Sequence, residues 1–145
     1  MNISVFRLSL VKDTSLPYKE VRQILTPADV ADLIRMYLKQ TDREHFVAVF
    51  LDSHSKVIGI HTVSIGTLTE SLVHPREVFK GAILANASSI VCAHNHPSGI
   101  ASASAADISV TSTLVDAGRI LGIRVEDHVI IGDEGFTSFR EEGLL

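Results

Sequence analysis

The residues whose types and spacing suggest chemistry are His94-Asn95-His96-Pro97-Ser98-Gly99, followed by Ser104 and Asp107. His94 and His96 are two positions apart. In an extended segment both imidazoles point to one side and offer two nitrogens to a single ion. Pro97 and Gly99 then turn the chain sharply. Asp107 follows eleven residues after His96, in what reads as the first turn of a helix, from which a carboxylate reaches back toward the histidines. Two His and one Asp give zinc three protein ligands and leave a fourth position for water, the pattern of a catalytic site rather than a closed structural one. Such a water, with its pKa lowered toward about 7, needs a carboxylate to accept its proton and pass it to a leaving amine. Glu44, Glu70 and Glu77 are the candidates, and the position of Glu44 at the mouth of a buried strand favours it.

Each part also has a plainer reading. A lone His-x-His pair is a weak signal. Ser104-Ala105-Ala106-Asp107 has the form of a helix capping box, although a capping serine can still face a site. Cys92 reads as a small core residue. His128 reads as a structural hydrogen-bonding histidine rather than a ligand. His45, His54, His61 and His74 are scattered and read as solvated or locally bonded, and Arg76 as half of a structural ion pair.

Elements must position these groups. Residues 3–11 alternate loosely (Ile3, Val5, Leu8, Leu10) and suggest a strand. Thr26-Pro27-Ala28-Asp29 opens a helix: a threonine cap, proline at the first helical position and an acid near the positive end of the dipole. Val30, Leu33, Ile34, Tyr37 and Leu38 carry it to about residue 39. Residues 44–51 and 56–65 read as two strands of a hairpin across Asp52-Ser53-His54-Ser55. His74-Pro75-Arg76-Glu77 opens a second helix. Residues 88–93 read as a short buried strand, 97–103 as a loop, and about 104–121 as a third helix. Residues 123–131 and 135–139 read as a terminal hairpin across Gly132-Asp133-Glu134-Gly135. This order predicts a mixed sheet with helices packed against it.

Composition bounds the rest. The chain has 145 residues, enough for one ordinary domain. Hydrophobic residues make up 46% and charged residues 21%, which excludes disorder and a coiled coil. One cysteine permits neither an intramolecular disulfide nor a cysteine-based zinc cluster, and it fits a reducing, cytoplasmic compartment. The net charge is −4 and the 13 Lys and Arg are scattered, which disfavours sequence-independent binding to nucleic acid. The start MNISVFRLSLVKD lacks a charged opening, a long apolar run and a cleavage site, so no signal peptide is expected. No segment approaches the roughly 18 apolar residues of a membrane span.

Taken together, His94-x-His96, seven residues, Ser104, two residues, Asp107 resembles the JAMM motif of the JAB/MPN metalloenzymes. The surrounding residues look like the RadC branch of that superfamily. The likeness runs through Gly66-Thr67-Leu68, Val73-His74-Pro75-Arg76-Glu77-Val78-Phe79, Ala93 to Gly99, Asp127-His128-Val129-Ile130-Ile131-Gly132 and the ending Ser138-Phe139-Arg140-Glu141-Glu142-Gly143-Leu144-Leu145. It covers about residues 26–145. The resemblance implies a fold like that of cytidine deaminases, a curved mixed sheet flanked by helices. It implies one zinc ion held by His94, His96 and Asp107, with Glu44 as general base. It also implies that Ser104 hydrogen-bonds the oxyanion of a tetrahedral intermediate. The expected reaction is hydrolysis of a peptide or isopeptide amide in a peptide or protein substrate. Two departures stand out. Residues 1–40 read as a strand and an amphipathic helix, without the Gly-rich hairpins of the DNA-associated helix-hairpin-helix region found in RadC-like proteins. Ala103 stands where many relatives have proline.

Other functions compete with this one. A protein-binding module of the same superfamily would keep the site without chemistry. A DNA-processing or repair-associated factor is suggested by the family name, and the letters His-Asn-His invite a nuclease reading. The acidic charge opposes both. A zinc deaminase needs H-x-E with P-C-x-x-C. This chain has His96 at the second position and a single cysteine, so that chemistry is rejected.

Overall fold

Among the described residues, three helices begin where proline or a capping side chain starts them. The computed structural model describes residues 1–18, 22–39, 41–67 and 72–145. Helix α1 spans Pro27–Leu38, with Thr26 and Asp29 forming a reciprocal cap. The Thr26 backbone N–H donates to the Asp29 carboxylate at 2.9 Å, and the Asp29 N–H donates back to the threonine hydroxyl. Helix α2 spans Pro75–Leu84, and the His74 ring accepts from the Arg76 N–H at 3.0 Å. Helix α3 spans Ala105–Leu121 and stops at Gly122, whose φ of 72° is the left-handed conformation that glycine adopts without strain.

The strands are β1 (His45–Leu51), β2 (Val57–Ile65), β3 (Ser89–Asn95), β4 (Arg124–Ile131) and β5 (Phe136–Ser138). They form one sheet in the order β2-β1-β3-β4-β5. The sheet is mixed: β3 and β4 run parallel, and the other neighbours are antiparallel. Strands β1 and β3 are central and buried on both faces, which is why they read as nearly continuous apolar runs.

The two faces of the sheet build two cores. Phe46, Ala48, Phe50, Ile90 and Cys92 pack with residues of α2 and α3. Val47, Val49, Leu51, Val91 and Val129 pack with Val30, Leu33 and Ile34 of α1. The molecule is therefore a single mixed sheet between helices. Burial pushes the Cys92 thiol up to about 12, so it is an inert core group. None of the helices among the described residues is long and apolar enough to cross a membrane.

Two sequence expectations change. Residues 3–11 form no strand, and Ile3, Val5, Phe6 and Leu8 stand exposed. Their alternation is broken at Phe6-Arg7, and no strand among the described residues pairs with them, so no ladder of hydrogen bonds offsets the entropy of ordering them as a strand. Strand β3 runs on to Asn95 rather than ending at 93. The extra residues pair with β1 and β4, which carries His94 into the buried sheet. Glu70 and Leu68 lie outside the described residues.

Candidate metal centre

The site forms where β3 ends and α3 begins, at the carboxyl end of the two parallel strands. Crevices in sheets with parallel strands open there. The antiparallel register sets Phe46 of β1 opposite His94 of β3, so Glu44, two residues before Phe46, falls beside His96. Asn95 fixes this placement. Its side chain accepts from the His45 N–H at 2.7 Å and donates to the Arg43 carbonyl at 2.9 Å, holding the backbone on both sides of Glu44. The box Ser104-x-x-Asp107 caps α3 and aims the aspartate inward. The Ser104 N–H donates to Asp107 Oδ2 at 2.8 Å, and the Asp107 N–H donates to the Ser104 hydroxyl at 3.1 Å. The plain capping reading thus holds alongside the functional one, because the serine hydroxyl keeps its own O–H to donate.

Glu44, His94, His96 and Asp107 converge as a group that could hold a metal ion, with one ligand atom from each lying within 4.8 Å of the others. His94 Nε2 lies 2.9 Å from His96 Nε2 and 3.2 Å from Asp107 Oδ1. His96 Nε2 lies 3.3 Å from Asp107 Oδ2. A tetrahedral ion with bonds of about 2.0–2.1 Å spaces its ligand atoms about 3.3 Å apart, so these three side chains fit one. Glu44 Oε1 is 3.5 Å from His94 Nε2. The Asp107 and His94 side chains are buried, whereas those of Glu44 and His96 are 16% and 17% exposed and open the cluster to solvent.

The proton positions matter. His96 Nδ1 lies 2.8 Å from the Ile100 carbonyl oxygen, which can only accept. The proton of the neutral ring is therefore on Nδ1, and Nε2 presents a lone pair to the cluster. Burial pushes the Asp107 carboxyl up, but its polar contacts, the Ser104 N–H among them, outweigh it and hold the group well below its usual range. A lone pair and a carboxylate aimed at one point favour a cation there.

The remaining candidates fall elsewhere. Glu77 ion-pairs with Lys80 at 2.6 Å on the exposed side of α2 and with Arg76 at 3.6 Å, and it takes no part in the cluster. His45 and His54 make short-range contacts, and His74 caps α2. His128 is not among the converging groups; it hydrogen-bonds to His94 from behind, at 2.7 Å. That contact and its continuation to Thr111 were missed by the sequence reading, because they join residues 17 and 34 positions apart. A cleft of about 460 Å³ adjoins His96 and Pro97 and is bounded on the α1 side by Ile34 and Leu38.

Residues 24–144 match the RadC-like JAB domain family. A UPF0758 protein of Rubrobacter xylanophilus is 50% identical over 139 residues, covering 96% of this chain and 59% of that protein. A UPF0758 protein of Moorella thermoacetica is 52% identical over 122 residues, covering 84% of this chain and 53% of the relative. One from Desulforamulus reducens is 49% identical over 127 residues, with 87% and 56% covered. The chain therefore spans little more than half the length of these relatives.

Proposed function

Because the chain belongs to the RadC-like JAB domain family, we propose that it is a zinc-dependent metallopeptidase or isopeptidase that acts on a peptide or protein amide in the cytoplasm. The observation that carries this reading is the approach of two imidazole nitrogens to 2.9 Å, flanked by two carboxylates, with the His96 proton directed away. His94, His96 and Asp107 would hold one zinc. Bound there, zinc supplies Lewis acidity, polarising a substrate carbonyl and acidifying water.

The chain's own groups do the rest. Glu44 is held beside His94 by the Asn95 clamp and is partly open to solvent. Its carboxylate takes a proton from the attacking water and returns it to the leaving nitrogen. The Ser104 hydroxyl, fixed by its cap to α3, donates its O–H to the developing oxyanion. Asp107 stays ionised across the neutral range and so keeps its ligand capacity. The cleft beside His96 gives a substrate chain a place to lie.

The test is hydrolysis of a quenched peptide library and of lysine-linked isopeptides by the zinc-loaded protein. The expected cleavage is abolished by a chelator, restored by zinc, and reduced about 10²–10⁴-fold by Glu44→Gln at unchanged zinc content. Absence of cleavage by fully loaded protein would overturn the proposal and leave a binding module of the same family. A steeply salt-dependent affinity for DNA would instead revive a nucleic-acid role.

A further inference from the structure

Behind His94 runs a buried chain of hydrogen bonds that the proposed reaction does not use. His94 Nδ1 lies 2.7 Å from His128 Nε2. The other nitrogen of His128, Nδ1, meets the Thr111 hydroxyl, and that hydroxyl lies 2.7 Å from the Asp107 backbone carbonyl. His94, His128, Thr111 and Asp107 are each no more than 1% exposed.

The polarity of the chain follows from its last member. The Asp107 carbonyl can only accept, so Thr111 spends its one proton there. His128 Nδ1 must then donate to the threonine oxygen. The His128 ring is fully buried against Phe46 and Phe139, an apolar setting that favours its neutral form. A neutral ring with its proton on Nδ1 has a lone pair on Nε2. His94 Nδ1 must therefore supply the proton of the remaining bond. In the neutral form of His94 that leaves Nε2, the atom facing His96 and Asp107, without one.

We infer that Thr111 and His128 are positioning residues that hold His94 in its metal-ready tautomer through a one-way hydrogen-bond relay. The inference rests on the metal-centre reading and adds to it a cause for the orientation of one ligand. Metal-binding histidines are commonly fixed through their far nitrogen, and loss of such a partner typically lowers metal affinity about 10–100-fold. The fold holds the relay rigidly. The His128 ring stacks on Phe139 at 4.6 Å between centroids and meets the edge of Phe46 at 5.5 Å. Asp127 ties His128 to the residues flanking Phe139: its carboxylate accepts from the His128 N–H, from the Arg140 N–H and from the Ser138 hydroxyl. This assigns a physical task to the Asp127-His128 step and to Ser138-Phe139-Arg140.

Thr111→Val tests the relay, because valine keeps the shape and removes the hydroxyl. The buried His128 Nδ1–H loses its acceptor, so the ring gains by moving its proton to Nε2. His94 Nδ1 must then accept, and its proton moves to Nε2, where it blocks the metal. Two readouts are needed on the whole chain. One is the tautomer of His94 in metal-free protein, from ring nitrogen chemical shifts at a pH where the ring is neutral. The other is zinc affinity by chelator competition.

Wild type is expected to carry its His94 proton on Nδ1. Thr111→Val is expected to shift it toward Nε2 and to weaken zinc about 10–100-fold, whereas Thr111→Ser stays within about 3-fold of wild type. A folded Thr111→Val protein with wild-type tautomer would overturn the relay, whatever its zinc affinity. So would a wild-type His94 protonated on Nε2, a result that stands even where the valine variant does not fold. Failure of wild type itself to take up zinc would count against the metal centre instead, and the tautomer measurement would still decide the relay.

Discussion

Ser104 has two tasks that different substitutions separate. Its hydroxyl accepts the Asp107 N–H at 3.1 Å, closing half of the α3 cap, and it is proposed to donate its proton to substrate. Replacing a capping serine with alanine typically costs about 1 kcal/mol, whereas glycine costs only a few tenths. Ser104 is exposed, so no cavity adds to this. At about 2.1 cal/mol/K per residue, 145 residues unfold with an entropy of about 0.3 kcal/mol/K. Ser104→Ala should therefore lower Tm by about 3 °C, Ser104→Gly by about 1 °C, and Ser104→Thr by no more than Gly. Catalysis should rank the same variants differently. Alanine and glycine both lose the donor and about 10²–10³ in kcat, while threonine retains most of it. Calorimetry gives the first ranking and hydrolysis of the substrate found in the library screen gives the second. A glycine variant as unstable as alanine would refute the capping argument. A glycine variant with wild-type kcat would refute the oxyanion role.

Two further perturbations probe the supporting structure. A methyl group on Gly118 would overlap the Ile123 carbonyl oxygen and press on the Phe79 ring at 3.1 Å. Gly118→Ala should thus destabilise by about 1–3 kcal/mol despite the better helix propensity of alanine, seen as a Tm lower by about 3–10 °C. Asp107 is held below its ordinary value of 3.8. In metal-free protein its contribution to stability is present above that pH and is lost as the pH falls below it, since the unfolded chain then binds the proton more readily. Acid denaturation of Asp107→Asn should show a shallower loss below pH 3.8 than wild type, and equal slopes would contradict the assignment.

The parts of the fold written in local chemistry were legible. Thr26-Pro27, His74-Pro75 and Ser104-x-x-Asp107 mark helix starts because capping is settled within four residues, and α1, α2 and α3 begin beside them. The grouping of His94, His96, Asp107 and Glu44 was also readable, partly from spacing and partly from family likeness. Features that depend on register were not. Nothing near His128 in the sequence shows that parallel pairing sets it opposite Cys92, one pleat from His94. The failed strand at residues 3–11 makes the complementary point: alternation proposes a strand, but only a partner edge stabilises it. The role of Asn95, between two histidines that draw attention away from it, emerges only when β1 lies against β3.

The central claim is that His94, His96 and Asp107 hold one zinc ion. Its most direct test is zinc per chain by elemental analysis, on protein purified without chelator or affinity metal, beside Asp107→Ala. The expected result is about one zinc per wild-type chain and far less in the variant. No zinc in the wild type, even after reconstitution near neutral pH, would contradict it.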